Sequence, residues 1–326
     1  MAKFLLVGNA LIDIVAKIPS PTTIEIDSKT VEKILCINFA SKTELEDLQI
    51  QFGGSAANTA ITTIALGSRA SILTAVGGDN FGKMVQADLR KHGVDTSGVI
   101  TIAKHHTGMS VVLLAGGEKS VLTYHGAFAH LSPKHLNEKA FRDCDVAIFT
   151  SLSSKENFEF FKKAVAACKK LGKKMVFAPS ITMLKARAQE FKKFHEHFEI
   201  ATMNREEAAF YTGKTDPLKA IKLLPGKVKV ITDGANGAYA HFQGETFYIP
   251  TAAGKICDAT GAGDAFTGAF CHEYYSHGSV KEALRTATAV AALKLETLGA
   301  HFRKKMLEVD KFKKKNASKL VVRKVS

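Results

Sequence analysis

At 326 residues, 46% hydrophobic and 23% charged, the chain is too apolar for a disordered polymer and long for one compact core, so one large domain with a small appendage fits best. No uninterrupted apolar run approaches the ~18 residues of a membrane span, and Asn9 and Asp13 break the N-terminal run Phe4–Val15 that otherwise imitates a signal peptide. The formal net charge of +14 is uneven: ten Lys or Arg against Glu308 and Asp310 put +8 of it in the last 25 residues, a run with the look of a solvated terminal helix or frayed end, too poor in aromatics to argue for nucleic acid.

In chain order, Lys3 to Gly8 predicts a buried strand, with Asn9 and Asp13 at its carboxyl end, where open α/β sheets place ligand groups. From Ile14 to Phe52 the pattern turns to alternating, β-branched stretches, expected as short antiparallel strands with one face covered. Gly53 and Gly54 open a small-residue helix ending at Gly67; Ala70 to Val76 is a strand, and a helix follows to about His92. Gly108 to Ala115 and Ser120 to Tyr124 alternate again and read as a hairpin through Gly116-Gly117. Together with the earlier one-faced strands they predict a small sheet inserted into the main domain. Strands then alternate with helices: Val146–Thr150, Lys174–Ala178, Ile200–Met203 and Val228–Thr232, with helices such as Glu156–Leu171 and Pro217–Leu224 between them. That rhythm implies a mostly parallel sheet covered on both faces. Ala238–Phe242 and Thr246–Pro250 form an antiparallel pair, and two helices, Gly263–Ser276 and Ser279–Leu298, complete the domain. Five widely spaced cysteines without a Cys-x-x-Cys suit a reducing compartment, and a cytoplasmic location is expected.

The chemistry concentrates at Asp258-Ala-Thr-Gly-Ala-Gly-Asp264. Gly261, Ala262 and Gly263 allow a turn whose N–H groups point at one spot, and a helix starting there adds unpaired donors and the positive end of its dipole. Such a terminus holds an anion without a basic side chain. Asp264, facing that anion, is placed to take a proton from whatever attacks it, which is what phosphoryl transfer to an alcohol requires. Four other segments supply what this reaction lacks, each with a bland alternative. Asp13 accepts hydrogen bonds from neighbouring sugar hydroxyls or caps a turn. Gly53, Gly54 and Asn58 admit a ligand to the backbone or pack a helix closely. Asn204 and Glu207 serve a ligand or form a capping box. Thr232, Gly234 and Gly237 line a phosphate groove or make a hairpin turn. A nicotinamide-binding fold is excluded, because Gly8-Asn-Ala-Leu-Ile-Asp13 is not Gly-x-Gly-x-x-Gly.

From Val7 to about Gly299 these segments, in this order, resemble the PfkB/ribokinase superfamily of sugar and nucleoside kinases. Asp258 to Asp264 matches its C-terminal signature, Gly53-Gly-Ser-Ala-Ala-Asn58 its N-terminal one, and Asn204-Arg-Glu-Glu207 its N-x-x-E motif. The resemblance implies a ribokinase-like three-layer α/β/α fold with a mostly parallel central sheet and a small β-sheet lid. The core would comprise residues 1–13, 53–98 and 126–301, the lid 14–52 and 99–125, and a basic tail 302–326. It further implies ATP and Mg²⁺, with Asp264 as base and the backbone of Gly261, Ala262 and Gly263 as anion hole. Asn9, Asp13, Gly53, Gly54 and Asn58 would bind the acceptor; Asn204, Thr232, Gly234 and Gly237 the nucleotide; and Glu207 the metal through water. Many such kinases also hold a monovalent cation near the positions of Asp258 and Thr260. The expected acceptor is the primary hydroxyl of a small sugar, with a ribonucleoside and a sugar phosphate as alternatives. Ser55 and Ala56 replace the Lys-Gly usual in ribokinases, and the 40-residue interval from Asp13 to Gly53 is longer than theirs. His105, His106 and His125 read as lid-surface histidines, no membrane contact is expected, and exposed lid edges predict a homodimer.

Overall fold

The computed structural model describes residues 1–19, 22–26, 32–40, 42–115 and 118–326. Strand β1 (Lys3–Val7) is buried from Phe4 onward and runs parallel to β6 (Arg69–Val76) on one side and β10 (Val146–Phe149) on the other. Between β1 and β6 the chain leaves the main sheet through β2 (Leu11–Lys17), β3 (Thr22–Ile26), β4 (Glu32–Cys36) and β5 (Asp47–Gly53), then returns along helix α1 (Ser55–Ala65). After β6 come α2 (Asn80–Lys91), β7 (Val99–Thr101), β8 (Met109–Ala115) and β9 (Glu118–Tyr124). The remaining elements are α3 (Glu138–Asp143), β10, α4 (Lys155–Lys170), β11 (Lys174–Phe177), α5 (Ile181–Phe191), β12 (Ile200–Asn204), α6 (Arg205–Thr212), α7 (Pro217–Leu223), β13 (Val228–Thr232), β14 (Ala238–Phe242), β15 (Glu245–Ile249), α8 (Ala262–His277), α9 (Val280–Leu295), α10 (Met306–Lys315) and β16 (Arg323–Lys324).

Among the described residues the main sheet has ten strands in the order β16-β15-β14-β13-β12-β11-β10-β1-β6-β7, parallel except for the antiparallel run β13 to β16. Its two faces are written in the alternation of the strands. Phe4, Leu6, Ile72, Ile148 and Val230 pack with α1, α8 and α9 on one side. Leu5, Val7, Leu73, Phe149, Phe177 and Ile231 meet α4 to α7 on the other. A strand with both faces covered needs a continuous apolar run, which is why β1 and β10 carry one.

The smaller sheet has the order β5-β2-β8-β9. It differs from the expected set of antiparallel strands: β2 runs antiparallel to β5 but parallel to β8, because the main-domain elements α1 to β7 lie between those two strands in the chain. It begins at Leu11, so Asp13 lies within it, and β7 joins the main sheet through β6. The β8–β9 pair is antiparallel as the alternation predicts; its turn at 116–117 is outside the described residues.

The C-terminal segment is not a frayed end. Strand β16 pairs with β15, and Phe302, Val309 and Leu320 are buried in the core. Charge density concealed this, since three apolar anchors among ten cations suffice to seat the segment on α9 and the sheet.

Candidate active site

Helix α8 begins at Gly261, whose φ of 75° lies in the left-handed region. A Cβ at this position would fall on the carbonyl oxygen of Ala300, so the turn before α8 rests directly on a second turn near residue 300. Gly263 differs: beyond its own turn of helix nothing lies within 4 Å of where its Cβ would be, leaving open space over the helix terminus. The Ala262 N–H donates to the Ala259 carbonyl at 3.2 Å, so the expected three-amide hole is modified. Helix geometry leaves the N–H groups of Gly263 and Asp264 as open donors beside it.

Asp264 lies in the first turn of α8 and its carboxylate is held from α1. Asn58 Nδ2 donates to Asp264 Oδ2 at 2.8 Å. Burial pushes the Asp264 carboxyl above its ordinary range, while the Asn58 amide and the Ser55 hydroxyl pull it back. Ser55, at the position where ribokinases carry Lys, therefore serves the acid directly. Asn9 supports the same helix from the end of β1, its Oδ1 accepting from the Ser55 N–H at 3.0 Å.

Three cavities meet at this helix start. The central one, about 180 Å³, is lined by Gly261, Gly263, Asp264, Ser55, Asn204, Glu207 and Thr232. Toward the small sheet it shares Gly261, Asp264, Ser55 and Ser180 with a second of about 250 Å³. Toward β13 it shares Asn204, Thr232 and Gly263 with a third of about 550 Å³. The order is a polar chamber, a small junction holding two acids, and a long groove.

The polar chamber is lined by Asn9, Asp13, Gly54, Asn58, Ser110, Thr123, His125 and Ser151 among others. Gly53 lies directly beside Asp13, since a Cβ there would press on Asp13 Oδ2 and the carboxylate would have to shift. Gly54, at φ 98°, likewise passes against the backbone of Asn9 and Ala10. Burial raises the Asp13 carboxyl; the Ser110 hydroxyl and Lys119 oppose that, and Asp258 adds to it. Of the three histidines assigned to the lid surface, His125 lines this chamber and burial lowers its basicity. His106 is exposed beside Asp79, and His105 stacks on His130. Ser110, Thr123 and Ser151 escaped the sequence reading because they sit in no motif. Ser151, following β10 with a φ of 58°, occupies the strand-end position where ligand groups gather, and that is the signal that could have found it.

Asn204 and Glu207 form a reciprocal capping box at the start of α6, each accepting from the other's backbone N–H at 2.8 Å. The bland reading is thus real, yet both residues line the central cavity. Burial lifts the Glu207 carboxyl to about 7, and the Asp264 charge adds to it. A half-neutral acid facing the base across a small cavity suits a site completed by a divalent cation, which would relieve both. The long groove brings together Thr232, Gly234 and Gly237 with Ala253, Gly254, Phe266, Ala292 and Leu295, an apolar wall with a glycine turn at one end. Gly237, at φ 93°, passes against the Ile249 carbonyl, where a side chain would collide.

Asp258 and Thr260 form a tight local knot. Asp258 Oδ1 accepts from the Thr260 N–H (2.8 Å) and Oγ1 (2.7 Å), and its Oδ2 from the Gly299 N–H (3.0 Å). Instead of an open nest for a free cation, the Asp258 carbonyl accepts from the buried side chain of Lys294.

Ribokinase of Haemophilus influenzae is 28% identical over 269 residues, covering 78% of this chain and 84% of the relative. Ribokinase of Mus musculus is 30% identical over 270 residues, covering 77% and 80%. A crystal structure of a putative ribokinase II from E. coli, in complex with ATP and Mg²⁺, superposes with a TM-score of 0.82 at 24% identity, over 97% of this chain and 100% of that one. The fold is therefore the ribokinase-like α/β fold, and no described helix is long and apolar enough to cross a membrane. The family model for pfkB family carbohydrate kinases matches residues 16–305, so the chain belongs to that family and is a kinase acting on an alcohol group.

Proposed function

We propose that this kinase moves the γ-phosphoryl group of ATP, with Mg²⁺, to the primary hydroxyl of a small sugar. The observation that carries the proposal is the junction of the three cavities at Gly261–Asp264, with a base on the chamber side and open backbone donors on the groove side. The sugar occupies the polar chamber, its secondary hydroxyls bound by Asp13 and Asn9 and its primary hydroxyl at Asp264. Asp264 takes the proton as the hydroxyl attacks, and the Gly263 N–H faces the phosphoryl oxygens as charge spreads onto them. Glu207 and Asn204 would hold Mg²⁺ through water, and the ion would neutralise the charge between the transferring phosphate and its neighbour. Thr232, Gly234 and Gly237 line the path of the nucleotide phosphates, and the apolar wall takes the base. The small sheet acts as a lid: Ser110 and Thr123 reach into the chamber, and Lys119 Nζ lies 3.4 Å from Thr260 Oγ1. Closing it keeps out water that would hydrolyse ATP.

Chamber chemistry favours a sugar over the two alternatives. The charged groups in its lining are the acids Asp13 and Asp264, which disfavour an acceptor phosphate, while Lys119 stands at the edge against Thr260. Leu11 and His125 are too little apolar surface for a nucleobase platform. We also propose a homodimer through the lid, supported by exposed Leu48, Ile50, Val121 and Leu122 on its two edge strands, and a cytoplasmic location, supported by five free cysteines. Light scattering tests the dimer against a Leu48→Lys variant. The test of function is an ADP-release screen with ribose, fructose, 2-keto-3-deoxygluconate, adenosine, cytidine and inosine. Turnover with a sugar is expected, and Asp264→Asn should lose ~10²–10⁴-fold in kcat. Full turnover by Asp264→Asn would refute the mechanism.

A further inference from the structure

Among the described residues Lys294 is an unusual cation. It sits in the last turn of α9 with 0% of its surface exposed, where a lysine is almost never found unless paired. Its Nζ donates to two main-chain carbonyls, Asp258 at 3.1 Å and Thr297 at 3.2 Å. These belong to the two turns that set the catalytic helix start: one runs through Asp258 into Gly261, and the other carries Gly299 and Ala300. The Asp258 carboxylate ties the same turns a second time, gripping the Thr260 N–H and hydroxyl and reaching the Gly299 N–H. On this double tie rests the close approach of Gly261 to the Ala300 carbonyl.

Converging main-chain carbonyls with a carboxylate nearby are the donor set of a bare alkali ion, whose hydration shell such oxygens replace. Here a single positive charge is already there, covalently attached and bringing three donors of its own. A free cation and this nitrogen cannot share the place, so the residues present do not fit the monovalent cation that the fold family suggests. Burial and the nearby Lys119 oppose the charge on Lys294, while Asp258 favours it.

We propose that the Lys294 ammonium is the built-in counterpart of a monovalent cation, fixing the backbone of the Asp258–Asp264 turn and making the kinase independent of potassium. Lys294 touches neither substrate nor reacting atom; it is a positioning residue, and the proposal rests on the phosphotransfer reading above.

The test compares wild type with Lys294→Ala in buffers whose only monovalent cation is tetramethylammonium, then with KCl or NH₄Cl added. Wild type is expected to turn over equally in all three. Lys294→Ala is expected to lose ~10- to 100-fold in kcat without potassium, as a small misplacement of the turn predicts, and to recover with K⁺ or NH₄⁺. Lys294→Met, which fills the same space without charge, is expected to lose activity and not recover. Melting temperatures give a readout free of turnover: K⁺ should raise that of Lys294→Ala and leave wild type unmoved. Activation of wild type by potassium overturns the proposal, as does full activity of Lys294→Ala in tetramethylammonium; the wild-type arm decides even if the variants fail to fold. If wild type phosphorylates no acceptor, the functional reading fails separately, while the melting comparison still judges Lys294.

Discussion

Asn58 donates its side-chain N–H to the carboxylate of Asp264 at 2.8 Å, a contact between residues 206 positions apart that joins the helices α1 and α8 at their first turns. The donor stabilises the charged carboxylate against the burial that raises its pKa. In Asn58→Ala the pKa of Asp264 should therefore rise further. The acid limb of kcat/KM against pH should move to higher pH, with kcat down by roughly tenfold or more at neutral pH. A limb that stays where it is in wild type would show that Asn58 only packs.

The two glycines flanking Ala262 should separate stability from catalysis. Gly261→Ala puts a side chain on the Ala300 carbonyl at a left-handed φ, and should cost about 1–3 kcal/mol in chemical denaturation. Gly263→Ala meets nothing beyond its own turn of helix, so its stability should change by less than about 1 kcal/mol. Its methyl group would occupy the space assigned to the phosphoryl group, and kcat should fall at least ~10-fold while the fold is intact. Equal effects on both properties in both variants would contradict the geometry.

Glu207 supplies a pH signature. Its carboxyl titrates near 7 in the folded chain, against an ordinary value of 4.5, with burial as the main cause. Between these pH values the folded state holds more protons than the unfolded one, so stability without metal should decline as pH rises from about 4.5 to 7 and then level off. Magnesium requires the charged form, so its apparent affinity should be greater at about pH 8 than at about pH 6, and Glu207→Gln should shrink that difference to the part set by the nucleotide phosphate itself. Calorimetric titration with MgCl₂ and the bound nucleotide checks it.

The C-terminal segment should behave as core. Val309 is fully buried, and Val309→Asp is expected to destabilise by about 3 kcal/mol or more in denaturant titration. Leu307, 66% exposed two residues earlier, should accept the same substitution with a change under about 0.5 kcal/mol.

Much of this site could be read from the chain because backbone chemistry leaves marks in composition. Gly54, Gly237 and Gly261 stand where a side chain would collide, and only glycine leaves such a trace. The strand rhythm was equally plain, since two-sided burial demands the apolar runs of β1 and β10. Side chains that act from unrelated parts of the chain left no such pattern. Ser110, Thr123 and His125 reach the chamber through the pleat of a lid whose register depends on β2 lying beside β8. Lys294 is written in a helix like any other lysine, and only the turn it reaches distinguishes it. In the C-terminal segment a count of charges concealed Val309 and Leu320, because net charge speaks for surface and says little about seating.

The tie from Gly299 to the Asp258 carboxylate spans 41 positions. During synthesis, a ribosome-bound chain therefore displays Asp264 well before the turn that sets its backbone has been made. Such a nascent kinase would hold its base and its glycines without the platform that aligns them. A chain cut before Gly299 would keep Asp264 and its glycines and lack the contact that ties their turn down.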